Sequence, residues 1–210
     1  MNFKVDGTAQ SGNTIVKLRC PACKQRGTFE GLNIPDLSIT NLGAVAGLRR
    51  CPDPSCHSLV TFVIRNGKVE DTHPAETLDF DATNIPVMVR NAFEEAIKCH
   101  AQQCFVASAI MVRKTLEELC RDRQAAGNNL KERIKALGTK VVLPQELLDG
   151  LDDLRLLGND AAHIESQEYE KVGQEEVEIG IEFAKEVLKA VYQYSALLNK
   201  LRALKKPDQP

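Results

Sequence analysis

Two close pairs of cysteines constrain this chain more than any other feature. Cys20-Pro-Ala-Cys23 is followed 28 residues later by Cys51-Pro-Asp-Pro-Ser-Cys56, giving C-x2-C and C-x4-C joined by a long loop. Two thiolates on one tight turn can both reach an ion at about 2.3 Å, and a second turn facing the first completes a tetrahedral zinc site. The prolines pre-bend each turn. Strand-like sequence follows each pair, Gly27-Thr28-Phe29 and Leu59-Val60-Thr61-Phe62-Val63-Ile64, and Asn66-Gly67 then reads as a hairpin turn. The spacing predicts a structural zinc held by Cys20, Cys23, Cys51 and Cys56, with the adjacent His57 as an alternative fourth ligand. A catalytic zinc keeps an open position, and four cysteines leave none.

Paired knuckles of this kind resemble a zinc ribbon, in which the metal substitutes for a core that so small a segment cannot build. The rest of the chain is ordinary globular material, with 210 residues, 43% hydrophobic and 27% charged. A net charge of -2 gives neither the pull of a basic protein on nucleic acid nor an acidic solvating tail. The first residues, MNFKVDGTAQSGNT, lack the apolar stretch of a secretory signal, and the largely apolar run Val106 to Val112 is too short to span a bilayer. A cytoplasmic location without membrane contact is therefore expected. In that compartment an odd count of seven cysteines points to a metal before it points to disulfides.

Two domains are expected. Up to residue 75 there are nine basic and six acidic residues with strand and turn composition, whereas from Glu76 onward there are 18 basic and 23 acidic ones and helix formers dominate. Turn residues and prolines between Asp71 and Pro86 place the boundary there, giving a ribbon domain at 1–75 and a helical domain at 84–205. Phe105, Ala109, Val112, Leu116 and Leu119 step at helical spacing, as do Val177, Ile181, Ala184, Leu188 and Val191. The pattern predicts helices near 86–99, 102–126, 129–137, 144–163 and 174–203 with short connections. The expected fold is mainly α, an up-and-down helical bundle behind a small β-rich ribbon.

The segment Leu154-Arg155-Leu156-Leu157-Gly158-Asn159-Asp160-Ala161-Ala162-His163 places two rows on one helix. Leu147, Leu151, Leu154, Gly158, Ala161 and Ala162 form an apolar stripe, and Arg155, Asn159 and His163 form a polar row along its edge. Asp152 stands beside Arg155 at i-3, positioned to pair with it. A glycine in a buried helical face costs about 1 kcal/mol against alanine, so Gly158 implies close passage of a neighbouring helix.

This string, with the helix Ala107 to Glu117 and its Arg113/Glu117 pair before it and Ile85-Pro86-Val87 opening the bundle, resembles the family called domain of unknown function 4145. That family is grouped with the HEPN helical superfamily. The resemblance implies a HEPN-like bundle over roughly residues 80–200, behind a zinc-knuckle head of the kind that often precedes the domain. It also implies a setting in prokaryotic or phage defence or mobile-element systems, because members occur alone and fused to restriction enzymes. Active HEPN proteins are metal-independent ribonucleases that work as dimers, with an arginine, a polar residue and a histidine. Here His163 matches the histidine and Asn159 the polar residue, while the expected arginine slot holds Gly158. Arg155 lies about 12 Å from His163 along the axis, so a phosphate would be clamped by both only across a dimer, with Arg113 as another donor.

Two readings follow. In one the chain is an interaction module binding RNA, DNA or a protein, with Arg19, Lys24, Arg26, Arg49, Arg50 and Arg65 near the knuckles forming either a contact face or an ordinary solvated surface. In the other it is a metal-independent endoribonuclease in which His163 moves a proton and Asn159 and Arg155 orient and neutralise phosphate, in a homodimer. The structural alternative pairs Arg155 with Asp152 or Glu117. His100 and Cys104, four apart, offer only two further metal ligands, and Cys99, Cys104 and Cys120 read as small apolar core residues.

Overall fold

Apolar residues alternate at Val16 and Leu18, and again at Val60, Phe62 and Ile64, and in both segments they turn to one interior while their neighbours face out. A computed structural model describes residues 7–8, 14–162 and 172–204. The chain divides into two compact units, Met1–Asp79 and Phe80–Pro210.

The first unit is a seven-stranded antiparallel sheet: β1 (Gly7–Thr8), β2 (Val16–Arg19), β3 (Arg26–Gly31), β4 (Leu37–Ile39), β5 (Ala44–Arg50), β6 (Leu59–Arg65) and β7 (Lys68–His73). Strand β5 is the hub. Along one edge it pairs fully with β6, from Ala44↔Arg65 to Arg50↔Leu59. It also pairs with β4 over Ala44 to Ala46 and with β3 at Arg49 and Arg50. Asn66 (φ 51°) and Gly67 (φ 75°) turn β6 into β7 as a tight hairpin, both residues in the left-handed region such a turn demands. The interior gathers Val16, Leu18, Phe29, Val60, Phe62 and Ile64 around Cys20 and Cys51.

This sheet overturns the expectation of a mainly α chain with a small ribbon at its head. The fold is mixed, about half helical, with a sizeable curled β-sheet of its own. The reason lies in β4 and β5. Ala-Val-Ala-Gly-Leu-Arg-Arg has no alternation and few β-branched residues, so the strongest strand signal is missing from the strand that holds the sheet together. Its strand state comes from neighbours on both edges, which no local pattern encodes.

The second unit follows the helical periodicity closely: α1 (Val87–Ala101), α2 (Phe105–Asp122), α3 (Leu130–Leu137), α4 (Gln145–Ala162), α5 (Gln174–Leu188), a π turn (Lys189–Gln193) and α6 (Tyr194–Ala203). Pro86 opens α1, and the Asn129 side chain caps α3 by accepting from the Glu132 amide. The arrangement is centred on α2, which packs against α1, α3, α4 and α5. It presents Ala109, Val112, Leu116 and Leu119 to the interior. Ser108 on α2 donates to the Ala96 carbonyl of α1 at 2.8 Å, which settles a buried hydroxyl at the close α1–α2 contact. Among the described residues no helix is long and apolar enough to cross a membrane.

Candidate metal centre

Each cysteine pair sits at the tip of a hairpin, the first between β2 and β3 and the second between β5 and β6. In the first, the Cys20 amide donates to the Gln25 carbonyl (2.8 Å) and the Lys24 amide to the Cys20 carbonyl (3.0 Å). In the second, the Cys51 amide donates to the Ser58 carbonyl (2.8 Å), and the amides of Cys56 and His57 both donate to the Asp53 carbonyl (3.0 and 3.1 Å). Lys24 (φ 64°) and His57 (φ 50°), each directly after the second cysteine of its pair, adopt the left-handed conformation. The two turns thus repeat one design, the second enlarged by two residues. The Asp53 carboxylate braces the enlargement, accepting from the Ser55 amide (2.8 Å) and hydroxyl (2.6 Å).

The result is a convergence of four free thiols, Cys20, Cys23, Cys51 and Cys56, whose sulfurs all lie within 4.8 Å of one another. Cys20 and Cys56 stand 3.7 Å apart, as do Cys23 and Cys51. A tetrahedron with metal–sulfur arms of about 2.3 Å has edges of about 3.8 Å, so the spacing is that of ligands around one ion. A disulfide would require about 2.05 Å. The donor set therefore fits a soft, tetrahedral divalent metal. His57 is exposed and lies outside the cluster, whose fourth member is Cys56.

Ser58 supports the site from behind. Its hydroxyl lies 3.0 Å from the Cys20 sulfur and 3.2 Å from that of Cys56. Burial opposes ionisation of Cys20, but the Ser58 hydroxyl and the amides of Cys23 and Ala22 outweigh it and bring that thiol down to about 6. The same hydroxyl lowers Cys56, while burial pushes Cys51 up to about 12. An ion bound here would displace the remaining thiol protons, so occupancy falls as pH falls. Nothing in the cysteine spacing singled out Ser58; the clue was a hydroxyl residue two positions beyond a ligand.

The arginines around the knuckles are not left as isolated cations. All five arginines of the unit meet a carboxylate: Arg19 with Asp79 (3.1 Å), Arg26 with Glu76 (3.5 Å), Arg49 with Asp36 (2.7 Å), Arg50 with Glu30 (2.8 Å) and Arg65 with Glu70 (3.1 Å). Lys24 donates to the Pro21 carbonyl and the Thr77 hydroxyl. The unit runs to Asp79, so Glu76 and Asp79 count within it, leaving nine basic and eight acidic residues.

Arg49 is the largest departure from the sequence reading. It is 1% exposed, as is Asp36. Its guanidinium makes two parallel bonds to the Asp36 carboxylate (2.8 and 2.7 Å), donates to the carbonyls of Leu48 and Thr14, and stacks on the Phe62 ring at 4.6 Å. Every N–H is used, which a buried guanidinium requires. Gly47 makes this possible, because a Cβ there would overlap the Asp36 carboxylate and the Phe62 ring.

In the helical unit, α4 carries the polar row. Arg155 pairs with Asp152 at 2.6 Å, the local option offered by the i-3 spacing. Arg113 donates to the Arg155 carbonyl (3.1 Å) and pairs with Glu117 (3.5 Å). Asn159 is half-buried one turn beyond Arg155. His163 lies outside the described residues. Gly158 does sit under α2: a Cβ there would overlap that of Arg113 and stand 3.0 Å from the Ala109 carbonyl oxygen. The buried face runs through Leu151, Leu154, Leu157, Gly158 and Asp160, so it drifts off the expected Ala161 and Ala162 toward Leu157.

The family model described as Domain of unknown function (DUF4145) matches residues 94–206. The chain belongs to the DUF4145 family. No curated protein and no solved structure matches it. The match begins within α1 and covers the polar row of α4, and it leaves the cysteine quartet of this DUF4145 chain outside the family region. His100 pairs with Glu178 (3.1 Å), while Cys104 is exposed and caps the Gln102 carbonyl; neither joins a metal-ligand group among the described residues. Cys120 is buried in the bundle, its thiol pushed up to about 11 by burial.

Proposed function

We propose that this DUF4145 chain is a non-catalytic interaction module with a protein partner, in which a sheet unit carrying a structural zinc site is followed by a HEPN-like helical unit, and that it serves in a prokaryotic or phage defence or mobile-element system. The observation that carries it is the pairing of every arginine of the sheet unit with a carboxylate. Nucleic-acid affinity at physiological salt comes mainly from unpaired cationic groups that displace counterions from phosphates. Bound zinc would be held by Cys20, Cys23, Cys51 and Cys56 and would fix the two hairpin tips against each other, with no position left for substrate.

The same logic weighs against the ribonuclease reading. Arg155 is engaged by Asp152, and Arg113 by Glu117 and the Arg155 carbonyl. Neither guanidinium is held ready for a phosphate.

Three measurements test this. Atomic emission on the purified chain should find one zinc per chain, lost in parallel with Cys51→Ser. Fluorescence anisotropy with mixed single-stranded RNA and duplex DNA at low salt should show no saturable binding; binding that falls steeply with added salt would replace the protein partner with a nucleic acid. RNA cleavage in chelator, abolished by His163→Ala, would overturn the non-catalytic reading.

A further inference from the structure

The π turn at Lys189–Gln193 anchors the last helix at its root. Tyr192 is buried and donates to the Asp122 carboxylate at 2.9 Å, while the Arg123 guanidinium stacks on its ring at 4.3 Å and donates to the Val191 carbonyl. Beyond this bracket α6 continues the π turn as one rod and, among the described residues, has its main contacts with that turn. Yet its sequence is not that of a solvated rod. Tyr194, Leu197, Leu198, Leu201 and Leu204 are 50–80% exposed, five large apolar side chains on an eleven-residue stretch.

Four of them, Tyr194, Leu197, Leu201 and Leu204, follow a 3-4-3 spacing, the a/d seam of a coiled coil. That spacing reads the same in both directions. A two-fold axis crossing near Asn199 therefore sets Tyr194 against Leu204 of a second copy, and Leu197 against Leu201, with Leu198 flanking the seam. Self-complementarity of this kind is what an isologous interface requires.

We infer that the apolar face of α6 is a self-association surface whose occupant is α6 of a second copy, packed antiparallel. The stripe exposes on the order of 500 Å² per copy, hence about 1,000 Å² for the pair, at the lower end of specific interfaces and consistent with micromolar association. The lysine and arginine of the helix, Lys200 and Arg202, lie off the seam and remain free to keep the pair soluble. This inference does not depend on the zinc head or on the identity of a partner.

Sedimentation velocity on the full chain from about 1 to 100 µM should show the mass rising from one chain to two. The double variant L197E/L201E should raise the dissociation constant about 100-fold or more, at unchanged helicity by circular dichroism, since both side chains are exposed. The single variant L204E, at the helix end, should weaken association by about tenfold. Val142→Glu, a fully exposed apolar position off the helix, should associate as wild type does. A wild type that stays monomeric throughout, a L197E/L201E protein that still dimerises, or a monomer that binds phosphatidylglycerol vesicles through α6 would each overturn the inference.

Discussion

The sheet unit and the helical unit fill their interiors with different material. In the sheet unit the apolar cluster is stitched together by four thiols and by an ion pair with almost no access to water. In the helical unit the interior is mostly apolar, with Ser108, Thr115, Glu118 and Asp160 as buried polar residues, and fit comes from glycines that let one helix lie on another, as Gly158 does under Arg113 and Ala109. The first kind of interior answers to solution chemistry, to metal and to pH. The second answers to volume.

The largest effect should come from the thiols. Structural zinc contributes on the order of 10 kcal/mol to small metal domains, so chelation or Cys51→Ser should unfold the sheet unit while the helices persist. Hydrogen exchange reads both units in one experiment: amides of β5 and β6 should lose protection and those of α2 retain it. Loss of protection in both together would erase the contrast.

Next comes the buried ion pair. Removing one partner by Arg49→Met or Asp36→Asn strands a charge or a dipole and should cost about 3–5 kcal/mol, whereas a paired apolar replacement should recover much of it. Urea unfolding of the two single variants and the double gives the cycle; additive costs would mean the pair is not coupled. Asp36 also sets a pH response. Burial works against its ionisation, but the Arg49 guanidinium outweighs it and holds the carboxyl below its ordinary value. A depressed folded pKa gives stability that is fully present above the unfolded value of about 4 and is lost as pH falls through the folded one. Asp36→Asn should therefore flatten the acid limb of the sheet unit's stability, and an unchanged limb would assign that limb to other groups.

For the helical unit the response should be steric. Gly158→Ala forces overlap with Arg113 and crowds a backbone carbonyl, and should cost about 1–2 kcal/mol even after the gain in helix propensity. Gly180→Ala meets only the flexible ends of Leu154 and Leu157 at 3.1 Å and should be neutral or mildly stabilising. Thermal melts of both decide it, and equal shifts would mean that close approach is not what Gly158 provides.

The smallest effect should come from Arg155→Ala. Its pair with Asp152 lies at the partly exposed rim of α4, where such bridges contribute under about 1 kcal/mol. A loss of several kcal/mol, measured by urea unfolding, would place Arg155 among the groups that hold the bundle together.

Legibility differed between the units for the same reason. The helices could be read because each buries one face at a fixed period, so Val112, Leu116 and Leu119 announce both the element and its orientation. The cysteine turns could be read because ligand geometry fixes their spacing. By contrast, Arg49 and Arg155 look alike in sequence. One reads as a surface cation and is buried with five donors satisfied; the other stands in a polar row that suggests chemistry and is tied to a neighbour three residues away. Neither fate is visible without the residues across the fold.

By itself the sequence determined the four clustered cysteines, the hairpin turn at Asn66-Gly67, the extent of the helices and the family, because each is set by contacts within a few residues or by a motif. Only the tertiary structure decided that β5 is a central strand, that Asp36 reaches Arg49 over Gly47, that Ser58 serves two thiols, and that α6 keeps its leucines in water. Those outcomes depend on partners up to 38 positions away or, among the described residues, on the lack of a packed neighbour, and a local pattern carries no record of either.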